Sequence, residues 1–395
     1  MQMHYAFKHL ATAATLVQQY NGELPLAAFL KQYFSAHKKH GSKDRKYISE
    51  LCYCYYRLGH ALLHLPVEER MKIALYLCSN ELQSWEALFE ETWLQQHTPL
   101  LSQRISFVQQ QYPALQAGTI FPWLTHCSET IDTTAFAYSH LVQPKVFLRI
   151  RPGYEQKVPD ALAQQNIPFE QADKYCIALQ PNTSISTLLD VNKAAVVQDY
   201  SSQKVGGLLQ QVKVLSPGTQ WRIWDCCAAS GGKSILANDL LKPASLTVSD
   251  VRESIIRNLQ QRFKEAGITR YDWFTADLTK QQKLLQNRDV NLVICDAPCS
   301  GSGTWGRTPE QLFYFTNEQL QHYASLQQQI VNNIVPQIKA GTYFLYITCS
   351  VFREENETMV QLLQQKHAMK ILQTEVLKGY ALQADSMFAA LCIKE

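Results

Sequence analysis

Apolar residues recur every three or four positions over most of the first 135 residues of the chain. The spacing is clearest in LATAATLVQQY, LAAFLKQYF, YISELCYCYYRLGHALLHL and MKIALYLC, where it would place the apolar side chains on one face of a helix. The pattern therefore predicts an all-helical domain over residues 1–135.

From about residue 136 the pattern changes to short apolar runs on either side of one helical segment. VFLRI (146–150) and YCIALQ (175–180) predict two strands, and YEQKVPDALAQQN between them predicts a helix. We expect a small α+β module over residues 136–193.

Residues 194–395 alternate between strand-like and helix-like segments. The strand candidates are WRIWDCCA (221–228), SLTVSD (245–250), YDWFTAD (271–277), NLVICDAP (291–298) and TYFLYITC (342–349). Alternation of this kind is typical of a doubly wound, mostly parallel sheet, in which ligands bind beyond the carboxyl ends of the strands. The predicted fold class is therefore α/β, and the polar motifs that follow the strands become the candidate site.

The composition is that of a globular protein and excludes several classes. The chain has 395 residues, 46% hydrophobic and 18% charged, and no apolar run approaches the ~20 residues that a membrane helix needs. The N-terminal segment has His and Lys among its apolar residues and does not resemble a signal peptide. We therefore expect a soluble, cytoplasmic protein with no membrane partner.

Charge gives only a weak indication of a partner. The chain has 37 Lys and Arg against 34 Asp and Glu, and the net charge of +3 is too small to indicate a polyanion by itself. Lys31–Lys46 nevertheless carries six Lys or Arg and one acid. Such a run is either a solvated helix end with its loop or a patch that contacts phosphates.

The eleven cysteines indicate neither a disulfide framework nor a zinc site. Their number is odd, and none of them lies in a C-x-x-C pair, which a zinc site would favour. We expect most of them to be reduced and buried, and we expect no bound metal. The remaining question is whether any of them is chemically active.

The segment after the first strand of the predicted sheet, DCCAASGGKS (225–234), has the small residues of a ligand-binding turn. Its glycines let the backbone turn tightly and approach a ligand closely, and the helix that follows presents free N–H groups. A phosphate loop would need glycine where Cys227 stands, which argues against a P-loop ATPase. The remaining alternatives are a nucleoside cofactor without a polyphosphate and a tight turn that binds nothing.

Acids end the next two strands of the predicted sheet. Asp250 is placed to accept hydrogen bonds from both hydroxyls of a ribose, and Asp277 is placed to reach an adenine amino group. Each acid alone is more often a loop cap than a ligand. Because three consecutive strand ends agree, we favour the nucleoside cofactor.

Each of the last two strand candidates ends beside a cysteine. Asp296 precedes Cys299 in DAPCSGSG, and Cys349 lies in TCS, shortly before the acidic segment EENE. A lone cysteine at a strand end is usually a small buried hydrophobe. Two cysteines at neighbouring strand ends, beside a cofactor loop and an aspartate, are candidates for chemistry.

Together these motifs resemble the Sun (Fmu) family, also called Nol1/Nop2/Sun, of S-adenosylmethionine-dependent RNA cytosine-5 methyltransferases. The matching segments are CCAASGGKS, SDVRESIIRN, ADL, DAPCSGSG, TCSVFREENE and, upstream, QDYSS (198–202). The resemblance spans roughly residues 140–395 and implies a Rossmann-like methyltransferase domain over residues 194–395. SKDRKYISELCYCYYRLG, in the helical region, is similar to part of the NusB-like domain of the small-subunit rRNA member, with a weaker match.

The resemblance implies a role for each motif. Cys349 would be the nucleophile that adds to carbon 6 of cytosine, Cys299 would assist product release, and Asp296 would hydrogen-bond the cytosine edge. DNA cytosine-5 methyltransferases use the cysteine of the P-C motif as nucleophile, but they lack TCS, which favours Cys349 here. The cofactor would be S-adenosyl-L-methionine, and the residues expected to bind it are Cys227, Ala228, Ala229, Ser230, Gly231, Gly232, Lys233, Asp250, Asp277 and Asp296.

The implied substrate is RNA with an unstacked cytosine, bound by a monomer through the small module and the basic stretch. The helical region favours rRNA, 16S rRNA in particular. A tRNA methyltransferase and a catalytically silent RNA-binding assembly protein are the alternatives. The chain departs from the family pattern at Arg151, Ser230, Gly306 and Ser386, and these departures bear on the substrate rather than on the reaction.

Overall fold

The computed structural model describes residues 2–181, 183–185, 189–285 and 288–395, with side chains from residue 5 onward. Its contacts divide the chain into two compact units. The first comprises the chain up to Thr125 together with Asp132–Gln143 and Thr304–Thr316, and the second comprises His126–Ile131, Pro144–Gly303 and Asn317–Glu395. The division into three domains at residues 135 and 193 stays a prediction.

The first unit is helical, as the apolar spacing predicts. Its helices are α1 (Gln2–Gln19), α2 (Leu26–Ala36), α3 (Ser42–Arg57), α4 (Val67–Cys78), α5 (Glu91–Gln96), α6 (Leu101–Gln111), α7 (Ala117–Ile120), α8 (Thr133–Ser139) and, further along the chain, α14 (Pro309–Tyr314). The buried guanidinium of Arg70 donates to the carbonyls of Tyr55, Gly59 and Ala61, which lie at and after the end of α3. These bonds satisfy backbone groups that a helix end leaves without partners.

The second unit contains a small antiparallel sheet. Its strands are β1 (Val146–Ile150), β2 (Phe169–Asp173), β3 (Cys176–Leu179) and β4 (Ala195–Val197), in the order β2-β3-β1-β4, and α9 (Lys157–Gln164) follows β1. The sequence predicts β1, β3 and α9 correctly. It misses β2, because FEQAD is mostly polar and exposed, and β4, because three residues give no usable period.

A larger sheet forms the centre of the second unit. Its strands are β5 (Trp221–Asp225), β6 (Ala244–Asp250), β7 (Tyr271–Thr275), β8 (Leu292–Asp296), β9 (Tyr343–Thr348), β10 (Met369–Leu377) and β11 (Met387–Lys394), in the order β10-β11-β9-β8-β5-β6-β7. The pairs from β9 through β7 are parallel, and β11 pairs antiparallel with β9 and β10. This confirms the mostly parallel α/β sheet and all five predicted strands.

Helices cover both faces of the larger sheet. They are α11 (Gly206–Leu215), α12 (Gly232–Leu240), α13 (Glu253–Glu265), α15 (Asn317–Ile334) and α16 (Glu357–His367), whereas α10 (Tyr200–Lys204) contacts β1 of the small sheet. Short 3-10 helices complete the chain at Glu86–Leu88, Leu124–His126, Ser302–Thr304, Val335–Gln337 and Gly379–Leu382. No helix in the described ranges is both long and apolar enough to cross a membrane.

Alternate side chains of the strands face opposite layers of helices. One layer contains buried residues of α11, α12 and α13 against Ile223, Ile294 and Ile347, and the other contains residues of α15 and α16 against Trp224, Cys295 and Tyr346. The strand order reverses beside β5, which lies between β6 and β8. Ligands in open α/β sheets bind in the crevice beyond the strand ends at such a reversal, and the motif segments begin at those ends.

Candidate active site

The loop between β5 and α12 turns sharply at Ala229 and Gly231. Ala229 has a φ of 45° and Gly231 a φ of 82°, and the Gly231 N–H donates to the Ala228 carbonyl at 2.8 Å. A Cβ at position 231 would lie 2.8 Å from Cε1 of Phe263. Glycine is therefore required here both by the left-handed backbone and by the close approach of α13.

The first turn of α12 is open to a ligand. Gly231 caps the helix without a side-chain hydrogen bond, and a Cβ built on Gly232 would meet nothing within 4 Å. The first N–H groups of a helix have no partner inside it and carry partial positive charge. The loop therefore has both the donors and the space that a bound cofactor needs.

Asp225 ends β5 as a fully buried carboxyl group. Its Oδ2 accepts a hydrogen bond from Ser234 Oγ at 2.5 Å, while its Oδ1 has no hydrogen-bond partner among the described residues. Burial, with a smaller contribution from the charge of Asp296, raises the pKa of Asp225 to about 7. The group lies at the base of the loop and can hold a proton near neutral pH.

Asp250 and Asp277 lie at the ends of β6 and just past β7, as predicted. Asp250 Oδ2 accepts a hydrogen bond from the Ala229 N–H at 3.1 Å, so this acid stabilises the loop between β5 and α12. Asp277 Oδ1 accepts from the hydroxyl of Thr279 at 2.6 Å, and its bonds to Thr279 hold the pKa of Asp277 below its usual value. The Ala276 N–H donates to the Asp250 carbonyl at 3.2 Å and joins the two strand ends. Their roles toward a ribose and an adenine stay predictions.

Lys233, in the first turn of α12, connects this helix to the end of β8 and to α10. Its Nζ donates to Asp296 Oδ2 at 3.0 Å and to Ser202 Oγ at 2.8 Å. Burial lowers the pKa of Lys233, but the charges of Asp296 and Cys349 outweigh burial and the net direction is upward. Lys233 is therefore a buried ammonium group that fixes the carboxylate of Asp296.

The two cysteines lie side by side. Cys299 follows β8 and Cys349 follows β9, and these strands are parallel neighbours in which Asp296 pairs with Ile347. The Cys349 N–H donates to Cys299 Sγ at 3.3 Å. A hydrogen bond with the Cys349 thiol, together with burial, raises the pKa of Cys299 well above its ordinary value. Cys299 is thus held as a thiol beside its neighbour.

The structure adds residues that the sequence reasoning did not assign. Ser202 lies in QDYSS and contacts Lys233, and Asp225 opens the glycine-containing motif. Glu355 and Asn356 lie in the EENE segment, and both are fully buried. Ser202, Glu355 and Asn356 belong to segments that carry the family resemblance, and Asp225 directly precedes one, so their places in these motifs were the available signal.

Three further cysteines, two of them in the loop between β5 and α12, lie close together. The sulfur atoms of Cys226, Cys227 and Cys295 lie within 4.8 Å of one another, and no other group of candidate metal ligands occurs in the described part of the chain. The pKa of Cys226, raised chiefly by burial, and that of Cys227, raised by a hydrogen bond with Cys295 and by burial, both lie well above the ordinary value, so these two residues are held as thiols. Cys226 and Cys295 are buried, as expected for most of the cysteines.

Three departures from the family pattern have partners inside the second unit. Arg151 forms two hydrogen bonds with Asp239, and Ser230 Oγ accepts from Arg262 at 2.7 Å. Ser386 is buried, and its N–H donates to the Gly303 carbonyl at 2.8 Å. These residues have structural partners and leave the cysteine pair in place.

The curated proteins that this chain is similar to include several named as small-subunit rRNA methyltransferases. Residues 212–391 match the family model for 16S rRNA methyltransferase RsmB/F. The chain is 28% identical over 233 residues to the probable ribosomal RNA small subunit methyltransferase B of Bacillus subtilis (strain 168), covering 58% of this chain and 51% of that protein. It is 30% identical over 165 residues to ribosomal RNA small subunit methyltransferase B of Xylella fastidiosa (strain 9a5c), covering 42% and 38%. The chain thus spans about half the length of the curated relatives it matches, or less.

Solved structures share the fold. The crystal structure of PH0851 aligns with a TM-score of 0.69 and 17% identity over 99% of this chain and 98% of that one. A methyltransferase homolog protein from Pyrococcus horikoshii aligns with a TM-score of 0.57 and 18% identity, over 69% and 94%. NSun6 from Pyrococcus horikoshii, solved with the S-adenosylmethionine analogue SFG, aligns with a TM-score of 0.57 and 12% identity. The alignment covers 70% of this chain and 97% of that one.

The sheet order, which these solved structures share, defines a Rossmann-like fold preceded by a helical region. Within that class, the match over residues 212–391 is to the model of the 16S rRNA methyltransferase RsmB/F family. This confirms the resemblance to the Sun (Fmu) family that the motifs indicate.

Proposed function

We propose that the chain transfers a methyl group from S-adenosylmethionine to carbon 5 of a cytosine in RNA, with small-subunit rRNA as the substrate. The observation that carries this proposal is that Cys299 and Cys349 are adjacent: the backbone nitrogen of Cys349 lies 3.3 Å from Cys299 Sγ. The names of the curated relatives support the choice of rRNA over tRNA.

Covalent catalysis explains why a cysteine is needed. Carbon 5 of cytosine is a poor nucleophile, and addition of the Cys349 thiolate to carbon 6 makes it enamine-like, so that it can accept an electrophilic methyl group. S-adenosylmethionine, when bound, supplies that group. Loss of the carbon 5 proton to a base then lets the bond between carbon 6 and sulfur break, which returns the Cys349 thiolate.

The neighbouring side chains have supporting roles in this proposal. Asp296, oriented by Lys233, hydrogen-bonds the cytosine edge and favours the ring protonation that accompanies thiolate attack. Cys299, held as a thiol by its neighbour and by burial, can donate a hydrogen bond that stabilises the departing Cys349 thiolate during product release. The Lys233 ammonium lies near Cys349.

The cofactor would be bound by the loop from Cys227 to Lys233, with Asp250, Asp277 and Asp296. The open space at Gly232 and the uncapped first turn of α12 support this assignment, because they offer N–H donors to a ligand. The target base must leave its stack to reach the cysteines, so we propose looped or single-stranded RNA as the substrate. The small module and Lys31–Lys46 would hold its backbone.

Bisulfite sequencing of total RNA, with and without this protein, tests the proposal. We expect one or more rRNA cytosines to resist deamination only when the protein is present. Cys349→Ala should abolish methyl transfer while S-adenosylmethionine binding survives, because the nucleophile does not contribute to the cofactor loop. Cys299→Ala should let addition proceed but slow release, so that protein–RNA adducts accumulate on denaturing gels.

The outcomes separate the alternatives. Normal turnover by Cys349→Ala would remove that residue as nucleophile. Adducts that form only when Cys299 is present and Cys349 is absent would reverse the two roles. Protection of tRNA cytosines alone would change the substrate, and RNA binding without any methylation would favour the assembly protein.

A further inference from the structure

Glu355 has a buried carboxylate that no part of the proposed reaction uses. The residue has 0% exposure, and its two oxygens accept four hydrogen bonds. Oε1 accepts from the Ser300 N–H at 2.9 Å and from Gln327 Nε2 at 3.0 Å. Oε2 accepts from the hydroxyls of Ser300, at 2.5 Å, and Ser350.

These bonds join the two cysteine loops to each other. Ser300 directly follows Cys299, and Ser350 directly follows Cys349, so one carboxylate holds the residue next to each sulfur. Ser302 Oγ reinforces the connection, because it lies 3.1 Å from Ser350 Oγ and accepts from the Val351 N–H at 3.0 Å. The two loops are therefore tied together through side chains as well as through strand pairing.

Asn356 fixes the Cys349 loop from its other side. Its Oδ1 accepts from Thr348 Oγ1 at 2.6 Å, and its Nδ2 donates to the Ser350 carbonyl at 3.0 Å. Thr348 and Ser350 flank Cys349 in the chain. The side-chain amide of Asn356 thus bonds to both chain neighbours of Cys349.

The bonding pattern requires an acceptor with the capacity of a carboxylate. An ionised carboxylate offers about four lone-pair positions and no donor, which matches the four donors around Glu355. Burial raises the pKa of Glu355, while its bonds to Ser300, Ser350 and Gln327 oppose that rise. A glutamine in its place would present N–H groups to other donors, and the backbone N–H of Ser300 cannot rotate away.

We propose that Glu355 is the positioning residue for the cysteine pair: it holds Cys299 and Cys349 at the separation that nucleophilic addition and release both need, with Asn356 fixing the Cys349 loop. The catalytic role of Glu355 rests on the proposed function. Its effect on the separation of the two cysteines can be measured in the free protein. A displacement of about 1 Å in a reacting group can cost about a hundredfold in rate.

The test compares Glu355→Gln with Glu354→Gln, the same change one residue earlier. Glu354 accepts from His126 Nδ1 at 2.6 Å and is partly exposed, so its variant controls for loss of a nearby carboxylate. The first readout is the rate at which diamide, a thiol oxidant, converts Cys299 and Cys349 into a disulfide in the free protein, measured by peptide mass spectrometry. The second readout is kcat for methyl transfer, with KM for S-adenosylmethionine.

We expect Glu355→Gln to slow disulfide formation and to lower kcat, each by about tenfold or more, with little change in the KM for S-adenosylmethionine. Glu354→Gln should match the wild type in both rates. Ser350→Ala removes one donor from the carboxylate and should shift both rates in the same direction by less. If circular dichroism shows that Glu355→Gln does not fold, both rates are measured in Ser350→Ala instead.

Unchanged disulfide and transfer rates in folded Glu355→Gln, or in Ser350→Ala where that variant carries the test, would overturn the proposal. A fall in kcat without slower disulfide formation would also overturn it, because Glu355 would then act on the reaction and not on the pair's geometry. If the wild type shows no methyl transfer but the disulfide rate still falls, the positioning role stands and the proposed function fails.

Discussion

At the scale of single residues, the place of a cysteine in the fold sets the environment of its thiol. Burial raises the pKa of Cys52 and Cys392 to about 12, so both stay protonated thiols inside apolar cores. Cys299 and Cys349 lie instead after neighbouring strands and are partly exposed, and the buried ammonium group of Lys233 lies near Cys349. The proposed reaction needs a cysteine with such access.

Asp225 gives a pH-dependent prediction at this scale. Its pKa is about 7 in the folded protein because of burial, against 3.8 for an ordinary aspartate. A raised folded-state pKa contributes stability below the unfolded pKa and loses it as pH rises through the folded value. The free energy of unfolding should therefore fall between about pH 4 and pH 7 through this group, on the order of a few kcal/mol.

Asp225→Asn should flatten that part of the pH profile, because asparagine has no proton to lose. Urea unfolding from pH 4 to pH 8 measures the effect, with Asp272→Asn, an exposed carboxylate on β7, as the control. A profile for Asp225→Asn that keeps the slope of the wild type would show that another group titrates in this range.

At the scale of elements, strands buried on both faces were the easiest part to predict. β8 and β9 are nearly continuous apolar runs, LVICD and YFLYIT, and the motifs at their ends located Asp296, Cys299 and Cys349. β11 escaped prediction because its sequence MFAALCIK, taken alone, fits a buried helix as well as a strand. It pairs antiparallel with β9, which lies far away in the sequence, and β10, also missed, pairs antiparallel with β11.

The β5–α12 loop yields the prediction at this scale. Gly231→Ala places a Cβ 2.8 Å from Phe263 and forces alanine into a φ of 82°, so we expect a loss of about 1–3 kcal/mol in unfolding free energy. Gly232→Ala, one position later, meets nothing within 4 Å and lies in a helix. It should leave stability unchanged or raise it by about 0.5 kcal/mol. Equal losses in the two variants, measured by urea unfolding, would contradict this account of the turn.

At the scale of the whole molecule, the sequence predicts regions but not how segments combine. Residues Thr304–Thr316 directly follow the DAPCSGSG motif, yet they belong to the first unit, and His126–Ile131 belong to the second. Periodicity describes local structure and carries no information about such long-range grouping. The same holds for the EENE segment, whose charges indicate a solvated surface although Glu355 and Asn356 are fully buried.

Within the second unit, one buried ion-pair network joins the small sheet to the large one. Arg149 and Arg151, on and just after β1, donate to Asp239 on α12 at 2.7–3.0 Å, and the side chain of Asp239 is only 1% exposed. Arg149 also donates to Gln198 at 2.8 Å. Because the carboxylate serves both guanidinium groups, the network depends on a single residue of α12.

Asp239→Asn should therefore destabilise the protein by about 3–5 kcal/mol, since it leaves two buried guanidinium groups without their counter-charge. Asp289→Asn is the matched control, because Asp289 pairs with Arg222 and Lys339 at the surface and its loss should be nearly silent. Urea unfolding followed by far-ultraviolet circular dichroism measures both variants. If the pairing stabilises only the docking of the small sheet, limited proteolysis of Asp239→Asn should release that sheet while the larger one stays folded. A variant as stable as the wild type, with the same proteolysis pattern, would show that packing and not charge joins the two sheets.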